Sequence, residues 1–265
     1  MMIGKPGAAR TAISTADERS ITVRGYDLTS ELIGSLSFTE FFFLHVTGRK
    51  PSENQRFFLD ALLVTIAEHG LTPTVQAARM TLAAAPDALQ GAVAAGILGC
   101  GTVVLGTSEL CAAQLREAAK RSAGKSEAER DAIVLELTRA VKGRGERLPG
   151  FGHPLHRPVD PRTERLLALA DQRRVSGVHV DLLRRFGKAA AAVWGKPLVM
   201  NVSGPIAAIL LDLDFPDAAV KGIPILARTA GIIGHLAEER EFPMGFLLSA
   251  KGEEAIDHTG AKVRI

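Results

Sequence analysis

Helix-compatible segments follow one another along almost the whole chain, and no alternation of strand and helix patterns interrupts them. This constrains the fold more than any single residue does: it points to an all-α architecture and sets aside the doubly wound folds. Composition agrees. Apolar residues make up 46% of the 265 but aromatics only 5%, so Ala, Leu, Val and Ile have to fill the core. Tracts such as Ala83-Ala84-Ala85 and residues 189–192 enter a helix at little conformational cost and let neighbouring helices approach closely.

Residues 21–26 form the best strand candidate, after which Asp27 or Thr29 opens a helix. Ser37-Phe38-Thr39-Glu40 has the form of a capping box, and the helix behind it, 41–46, closes at Gly48. Phe57, Leu59, Leu62, Leu63 and Ile66 recur at helical spacing up to Gly70. Further helices are predicted over 75–84, 109–123, 126–143, 163–174, 178–194, 204–213, 217–241 and 244–250. Residues 1–22 lack an apolar signal-peptide region and read as a loosely held arm.

The stretch 88–108 carries no charge and is long enough to cross a bilayer. It also holds five glycines and lacks both an aromatic belt and a basic flank, so it is expected to be a buried or interface helix that breaks up around 99–106. Gly96, Gly99, Gly101 and Gly106 do not make a dinucleotide fingerprint, because no strand precedes them; close helix packing accounts for them better. Cys100 and Cys111 lie in apolar surroundings and read as buried thiols of a reducing compartment. The expected location is cytoplasmic, with no membrane association.

Net charge is only +3, yet residues 139–174 hold nine Arg or Lys against four Asp or Glu. A basic segment of that size suits a bounded anionic ligand better than a nucleic-acid coat. Inside it, residues 143–161 are the longest irregular segment, rich in Gly and Pro. In Leu148-Pro149-Gly150-Phe151-Gly152-His153, two glycines let backbone approach a ligand and turn amides toward an anion. His153 can exchange a proton near neutral pH, and Arg157 and Arg162 follow with guanidinium geometry suited to phosphate or carboxylate. His153, His156 and Asp160 also invite a metal reading. Pro154, Pro158 and Pro161 forbid a regular helix there, no Cys contributes, and a third ligand must come from elsewhere, so no metal is assigned.

The run Pro149-Gly150-Phe151-Gly152-His153-Pro154-Leu155-His156-Arg157-Pro158-Val159-Asp160-Pro161-Arg162 resembles the signature of the citrate synthase superfamily. Val23-Arg24-Gly25-Tyr26-Asp27-Leu28, Ala67-Glu68-His69-Gly70, Asn201-Val202-Ser203-Gly204, Ala227-Arg228-Thr229-Ala230-Gly231 and His235-Leu236-Ala237-Glu238 resemble further family blocks in the same order. The chain is most similar to the citryl-CoA lyases and the lyase module of ATP-citrate lyases. The resemblance implies a large helical domain, 1–105 and 200–265, interrupted by a small one, 106–199, that carries the Gly-His loop. It also implies a homodimer or higher homo-oligomer whose interdomain cleft closes over a coenzyme A thioester, the co-substrate, and a di- or tricarboxylate; no permanently bound cofactor is expected. By the same resemblance, His153 holds the oxygen at the reacting carbon, and His69, Arg162 and Arg228 bind carboxylates. Leu148, Gly150, Phe151 and Gly152 wrap the adenine through backbone groups, and Arg157 meets a CoA phosphate.

Two positions depart from the family pattern. Leu105, in Val104-Leu105-Gly106-Thr107-Ser108, stands where citrate synthases place a His that donates to the thioester enolate. Ser203 stands where they place a carboxylate base. Loss of a base costs roughly 10²–10⁴-fold, and loss of one oxyanion donor about 2.7–4 kcal/mol. Both argue against efficient synthesis by the usual route. The expected function is therefore reversible cleavage of a citryl-CoA-type thioester to acetyl-CoA, or another acyl-CoA, and oxaloacetate, or another 2-oxoacid. His153 is the expected base on the tertiary hydroxyl, and water, a backbone amide, Ser203 or Ser108 the donor to the enolate. The alternatives are a condensing enzyme for a different acyl-CoA and 2-oxoacid pair, or a CoA-binding homologue without chemistry.

Overall fold

The computed structural model describes residues 9–101, 103, 105 and 107–260. The described chain begins with a small antiparallel meander of β1 (Ser14–Ala16), β2 (Ile21–Val23) and β3 (Tyr26–Asp27), with Ser14 opposite Val23 and Val23 opposite Tyr26. The segment from Ser14 onward is thus no loose arm. Asp17 shapes its first turn by accepting from the amides of Arg19 and Ser20, both at 2.8 Å. The guanidinium of Arg24 ties the meander down by donating to the His45 carbonyl from Nε and Nη2 at 2.9 and 2.7 Å. Asp27 does open the next element, a single π-type turn over Leu28–Leu32, by accepting from Thr29 and Ser30.

Twelve α-helices follow among the described residues, and all but one were anticipated at close to their true places. They are α1 (Phe38–Thr47), α2 (Glu53–Ala67), α3 (Pro73–Ala84), α4 (Leu89–Leu98), α5 (Thr107–Ser122) and α6 (Glu127–Gly143), then α7 (Pro161–Gln172), α8 (Val178–Trp194), α9 (Ser203–Asp212), α10 (Asp217–Val220), α11 (Gly222–Glu239) and α12 (Gly245–Glu254). Local chemistry sets many of the ends. Ser37 with Glu40, Ser52 with Gln55 and Ser126 with Glu129 each close a complete capping box, and Gly48 ends α1 in the left-handed region at φ 77°. The helix expected over 217–241 is instead split at Lys221. Pro224 explains the break: it has no N–H to give the Val220 carbonyl, and its ring crowds that oxygen. The uncharged stretch 88–108 is likewise interrupted after Leu98, and no helix among the described residues is long and apolar enough to cross a membrane.

α9 is the axis of the molecule. Every residue from Ser203 to Leu211 is buried, so this helix has no polar face and is enclosed by α2, α5, α7 and α8. Phe58 and Leu62 of α2, Leu115 of α5, Leu183 and Phe186 of α8, and Ile206 and Ile209 of α9 share one apolar cluster with Cys111. A second cluster, Ala78, Leu82, Ala92, Ile232 and Leu236, joins α3, α4 and α11. Cys111 is fully buried as expected, whereas Cys100 is only half-buried.

Glycine sets the closest helix approaches. A Cβ on Gly96 would stand 2.7 Å from Ile232 Cδ1 and 2.8 Å from the Thr74 carbonyl oxygen, so the packing account of that glycine holds; Gly106 lies outside the described residues. A Cβ on Gly231 of α11 would overlap the Ala67 carbonyl oxygen at the end of α2. That approach matters because Arg228 lies one turn before Gly231 and His69 two residues after Ala67. Gly231→Ala is expected to destabilise the fold by about 1–3 kcal/mol, read as a lowered thermal midpoint. An unchanged midpoint would show that α11 does not seat on the end of α2.

Candidate active site

Three histidines converge beside the end of α2. The ring of His153 lies 4.3 Å from that of His156 and 5.8 Å from that of His69, centroid to centroid, and His69 and His156 approach Nε2 to Nε2 at 3.3 Å. His69 is held from behind. Glu68 Oε1 accepts from the amides of His69 and Gly70 at 2.8 and 2.6 Å, while its other oxygen lies 2.9 Å from His235 Nε2, to one side of the ring N–H direction. His235 Nδ1 is 3.1 Å from Arg79 Nη2. Arginine only donates, so Nδ1 accepts and the neutral ring keeps its proton on Nε2, facing Glu68. Arg79 is fully buried and pairs with Glu238 and, at 2.8 Å, with Glu239; Glu239 in turn accepts from the amides of Met244 and Gly245 at the start of α12. Sequence reasoning missed this chain of charges. Its signal was an arginine at helical spacing with Val75, Ala78 and Leu82, on the apolar face of α3.

His153 sits on a loop pinned to the lead-in of α9. The amide of Gly152 donates to the Val199 carbonyl at 2.6 Å, the amide of Asn201 to the Gly150 carbonyl at 2.9 Å, and Asn201 Nδ2 to the Gly152 carbonyl at 2.9 Å. Gly150, at φ 82°, leaves no room for a Cβ, which would lie 2.9 Å from Cys111 Sγ and 3.2 Å from Gly204 Cα. Leu148 and Phe151 point into the main core. The amide of Gly152 is therefore spent inside the protein, contrary to the expectation that it turns toward an anion. The loop's carbonyls each keep a second lone pair.

The next turn fixes the chemistry of His153. Its Nδ1 accepts from the amides of Leu155 at 3.0 Å and His156 at 2.8 Å, so the neutral ring carries its proton on Nε2. Burial, with His156 adding to it and Asp160 opposing it, holds the His153 pKa below the ordinary histidine value. Burial, followed by the Arg162 guanidinium, does the same for His69. On the side of Arg162, His153 thus presents an N–H rather than the lone pair that a base would need.

Arg162, in the first turn of α7, is gripped by Asp160, with Nε to Oδ1 at 3.0 Å and Nη2 to Oδ2 at 2.8 Å. Its Nη2 also comes within 3.4 Å of His153 Nε2. Both atoms bear protons, and such a pair is satisfied only by an acceptor placed against both. Arg228 of α11 is 3% exposed; it donates to the Ile66 carbonyl and to Thr72 Oγ1, each at 3.3 Å, and its Nε has no partner. No carboxylate among the described residues lies within ion-pair distance of it. Burial lowers its pKa, and Glu68 is the largest influence opposing that.

One ring nitrogen from each of His69, His153 and His156 falls within 4.8 Å of the other two, a spacing compatible with a metal ion. The donor chemistry does not fit one. Ligation through His153 Nε2 would move that ring's proton to Nδ1, against two backbone N–H groups, whereas a metal-bound histidine normally donates from its other nitrogen. Two guanidinium groups alongside favour an anion further.

The remaining expected residues are placed differently. Ser203 opens α9, 8% exposed, with Oγ 2.6 Å from Thr107 Oγ1 and its amide donating to Asn201 Oδ1. Thr107 was not singled out from the sequence. Leu105 has φ 69°, in the left-handed region, and its carbonyl accepts from Ser108 Oγ at 3.4 Å. Val104 and Gly106 lie outside the described residues. Arg157 is exposed and has no hydrogen-bond or ion-pair partner among them.

A mostly helical frame thus gathers three imidazoles and the Arg162 guanidinium in one place. The chain belongs to the citrate synthase family: the family description "Citrate synthase, C-terminal domain" matches residues 31–244. Enzymes of this family use CoA thioesters as substrates. Among solved structures, citryl-CoA lyase from Hydrogenobacter thermophilus aligns with a TM-score of 0.84 at 28% identity, covering 98% of this chain and 97% of that one. ATP citrate lyase from Methanothrix soehngenii, in complex with citrate and coenzyme A, aligns at 0.74 and 20% identity, covering 91% of this chain and 40% of that one, and shares the fold. The "Putative citrate synthase 2" of Mycobacterium tuberculosis is 27% identical over 193 residues, covering 69% of this chain and 47% of that protein. The chain thus spans about half the length of the curated relatives it matches.

Asp160, 1% exposed, is the one ion-pair partner of Arg162 among the described residues. Burial pushes its carboxyl pKa up, but Arg162 outweighs that and leaves it below the usual carboxylate value. A depressed folded pKa stabilises above the unfolded value of about 3.9, and that stability fades as pH falls through the folded value. Asp160→Asn is expected to lose about 3 kcal/mol at neutral pH. Denaturant titrations should show the gap from the native protein closing in acid; a gap independent of pH would contradict the pairing.

Proposed function

We propose that the chain is a citryl-CoA lyase-type enzyme, reversibly cleaving a 3-hydroxy-3-carboxyacyl-CoA to an acyl-CoA and a 2-oxoacid, with citryl-CoA, acetyl-CoA and oxaloacetate as the first set to test. The observation that carries this reading is the pair of converging donors, His153 Nε2–H and Arg162 Nη2–H, 3.4 Å apart. A carbonyl oxygen has two lone pairs and can receive both. During cleavage the tertiary hydroxyl loses its proton, the carbon–carbon bond breaks, and the electron pair passes to the thioester as an enolate. The oxygen left behind becomes the 2-oxoacid carbonyl, and donors already aimed at it need no reorganisation as charge develops there.

Arg228 supports the same reading, since a buried guanidinium with an unused Nε lacks an anion, and a substrate carboxylate would supply one. His69 and Arg162 hold the other carboxylates. Arg157, exposed and unpaired, is assigned to a CoA phosphate, and the carbonyls of Leu148, Gly150 and Gly152 to the adenine amino group. The reading includes a small domain over 106–199 that closes on the large one, and self-association. Exposed Leu98, Val64 and Phe246, at 86%, 78% and 70% of full accessibility, supply apolar surface for a second copy. Sedimentation should therefore give a dimer or larger, and a monomer at micromolar concentration would remove that part.

A second reading has its own support. With Ser203 hydroxyl-bonded to Thr107 and Leu105 in place of a histidine, the acyl end of the site has no carboxylate base or imidazole donor. A homologue that binds CoA without turnover fits those facts, and the two readings part on one experiment. The native protein, supplied with citryl-CoA and then with a panel of related thioesters, should release acyl-CoA and 2-oxoacid. His153→Ala should lower kcat by at least about 10³-fold while CoA binding, followed calorimetrically, stays intact. CoA binding with no turnover on any substrate favours the second reading; full activity in His153→Ala defeats the first.

A further inference from the structure

The cleavage above needs a group to accept the tertiary hydroxyl proton, and the obvious candidates at the site are all committed. His153 Nε2 already bears a proton because Nδ1 is taken by two amides. Asp160 is bound to Arg162 through both oxygens, and Glu68 to two backbone amides with His235 beside its other oxygen. Ser203 is a hydroxyl whose close side-chain partner is another hydroxyl, Thr107, so nothing activates it. The pair His69 and His156 remains. Their Nε2 atoms are 3.3 Å apart, so one carries a proton and the other offers a lone pair.

Substrate decides which. A carboxylate has only lone pairs, so one bound at His69 Nε2 holds the proton there and leaves the lone pair on His156 Nε2. From this geometry, and resting on the functional reading given above, we infer that His156 is the proton acceptor of the bond-breaking step. Its ring faces that of His153 at 4.3 Å with a tilt of 31°, so it flanks the same oxygen-binding gap. The hydroxyl proton passes to His156 Nε2, the oxygen's freed pair forms the carbonyl, and the broken carbon–carbon pair becomes the thioester enolate. The enolate carbon then regains one proton, from the imidazolium or from solvent, so the sum needs no oxidant or reductant. The positive charge gained by His156 forms next to Arg162 and His69, where the substrate carboxylates offset it. His156 also supplies the amide that fixes His153, so its backbone sets the donor while its side chain acts as acceptor.

Two variants test this, since His156 lies on an irregular segment outside the apolar clusters and its replacement leaves the core intact. In His156→Gln, hydrogen bonding survives but proton acceptance does not, and kcat for thioester cleavage should fall about 100-fold or more with KM changed by less than about threefold. His156→Ala should be equally slow, and added imidazole should restore its rate at least tenfold, by roughly the share of a missing base that a free one replaces. A His156→Gln enzyme within about threefold of native kcat, or one changed in KM alone, overturns the inference and leaves the lyase reading standing. A native protein that cleaves no thioester of the panel overturns both.

Discussion

Two backbone N–H groups, those of Leu155 and His156, settle how the site works by occupying one nitrogen of His153. Each such bond contributes only about 0.5–1.5 kcal/mol to stability, yet together they decide which face of the imidazole gives and which receives. The arrangement reaches deep into the fold. The turn is in place because Gly150 lies against Gly204 and Cys111, and because Asn201 bonds to the carbonyls on both sides of Phe151. Asn201 belongs to the lead-in of α9, the one helix buried along nearly its whole length. A proton position in the site is thus anchored by the most enclosed of the described helices.

The two guanidiniums are treated unequally, and the difference is informative. Arg162 is neutralised by Asp160 through two contacts, which orients it and leaves one Nη2 N–H beside His153 and the two on Nη1 uncommitted among the described residues. Arg228 is more deeply buried and is met only by a carbonyl and a hydroxyl, neither of which cancels its charge. A buried cation without a counter-ion costs several kcal/mol of lost hydration. Glu68, which acts on Arg228 electrostatically, is itself committed to holding His69. The fold thus stores an electrostatic deficit at Arg228, and on the lyase reading proposed above a substrate carboxylate would remove it.

What could be read from the sequence was what depends on neighbours a few residues away. Capping boxes at Ser37 and the left-handed stop at Gly48 are local, as is the Gly-His segment whose pattern pointed to His153, Arg162 and an anion. What escaped depends on partners far along the chain. The Arg79 chain joins α3, α11 and α12, and an isolated arginine on an apolar face does not announce which glutamates will meet it. The loop glycines do bring backbone into close approach, but against Gly204 and Cys111, a destination no spacing rule supplies. His69 was placed through family blocks, whereas its approach to His156 needed α2 and the loop side by side.

On the lyase reading the two ends of the site are unequally equipped. Its oxoacid end has imidazoles and guanidiniums; its acyl end has the hydroxyls of Thr107 and Ser203, which share one hydrogen bond and so leave one O–H free to donate. Microscopic reversibility ties the two directions together: the group that protonates the enolate carbon during cleavage is the one whose conjugate base removes that proton during condensation. On the lyase reading that group is the imidazolium or solvent, so exchanging a carboxylate for a serine slows this proton transfer by the same factor both ways. The enolate keeps one neutral donor from the hydroxyl pair. The acid–base groups that remain are gathered where the hydroxyl proton is lost.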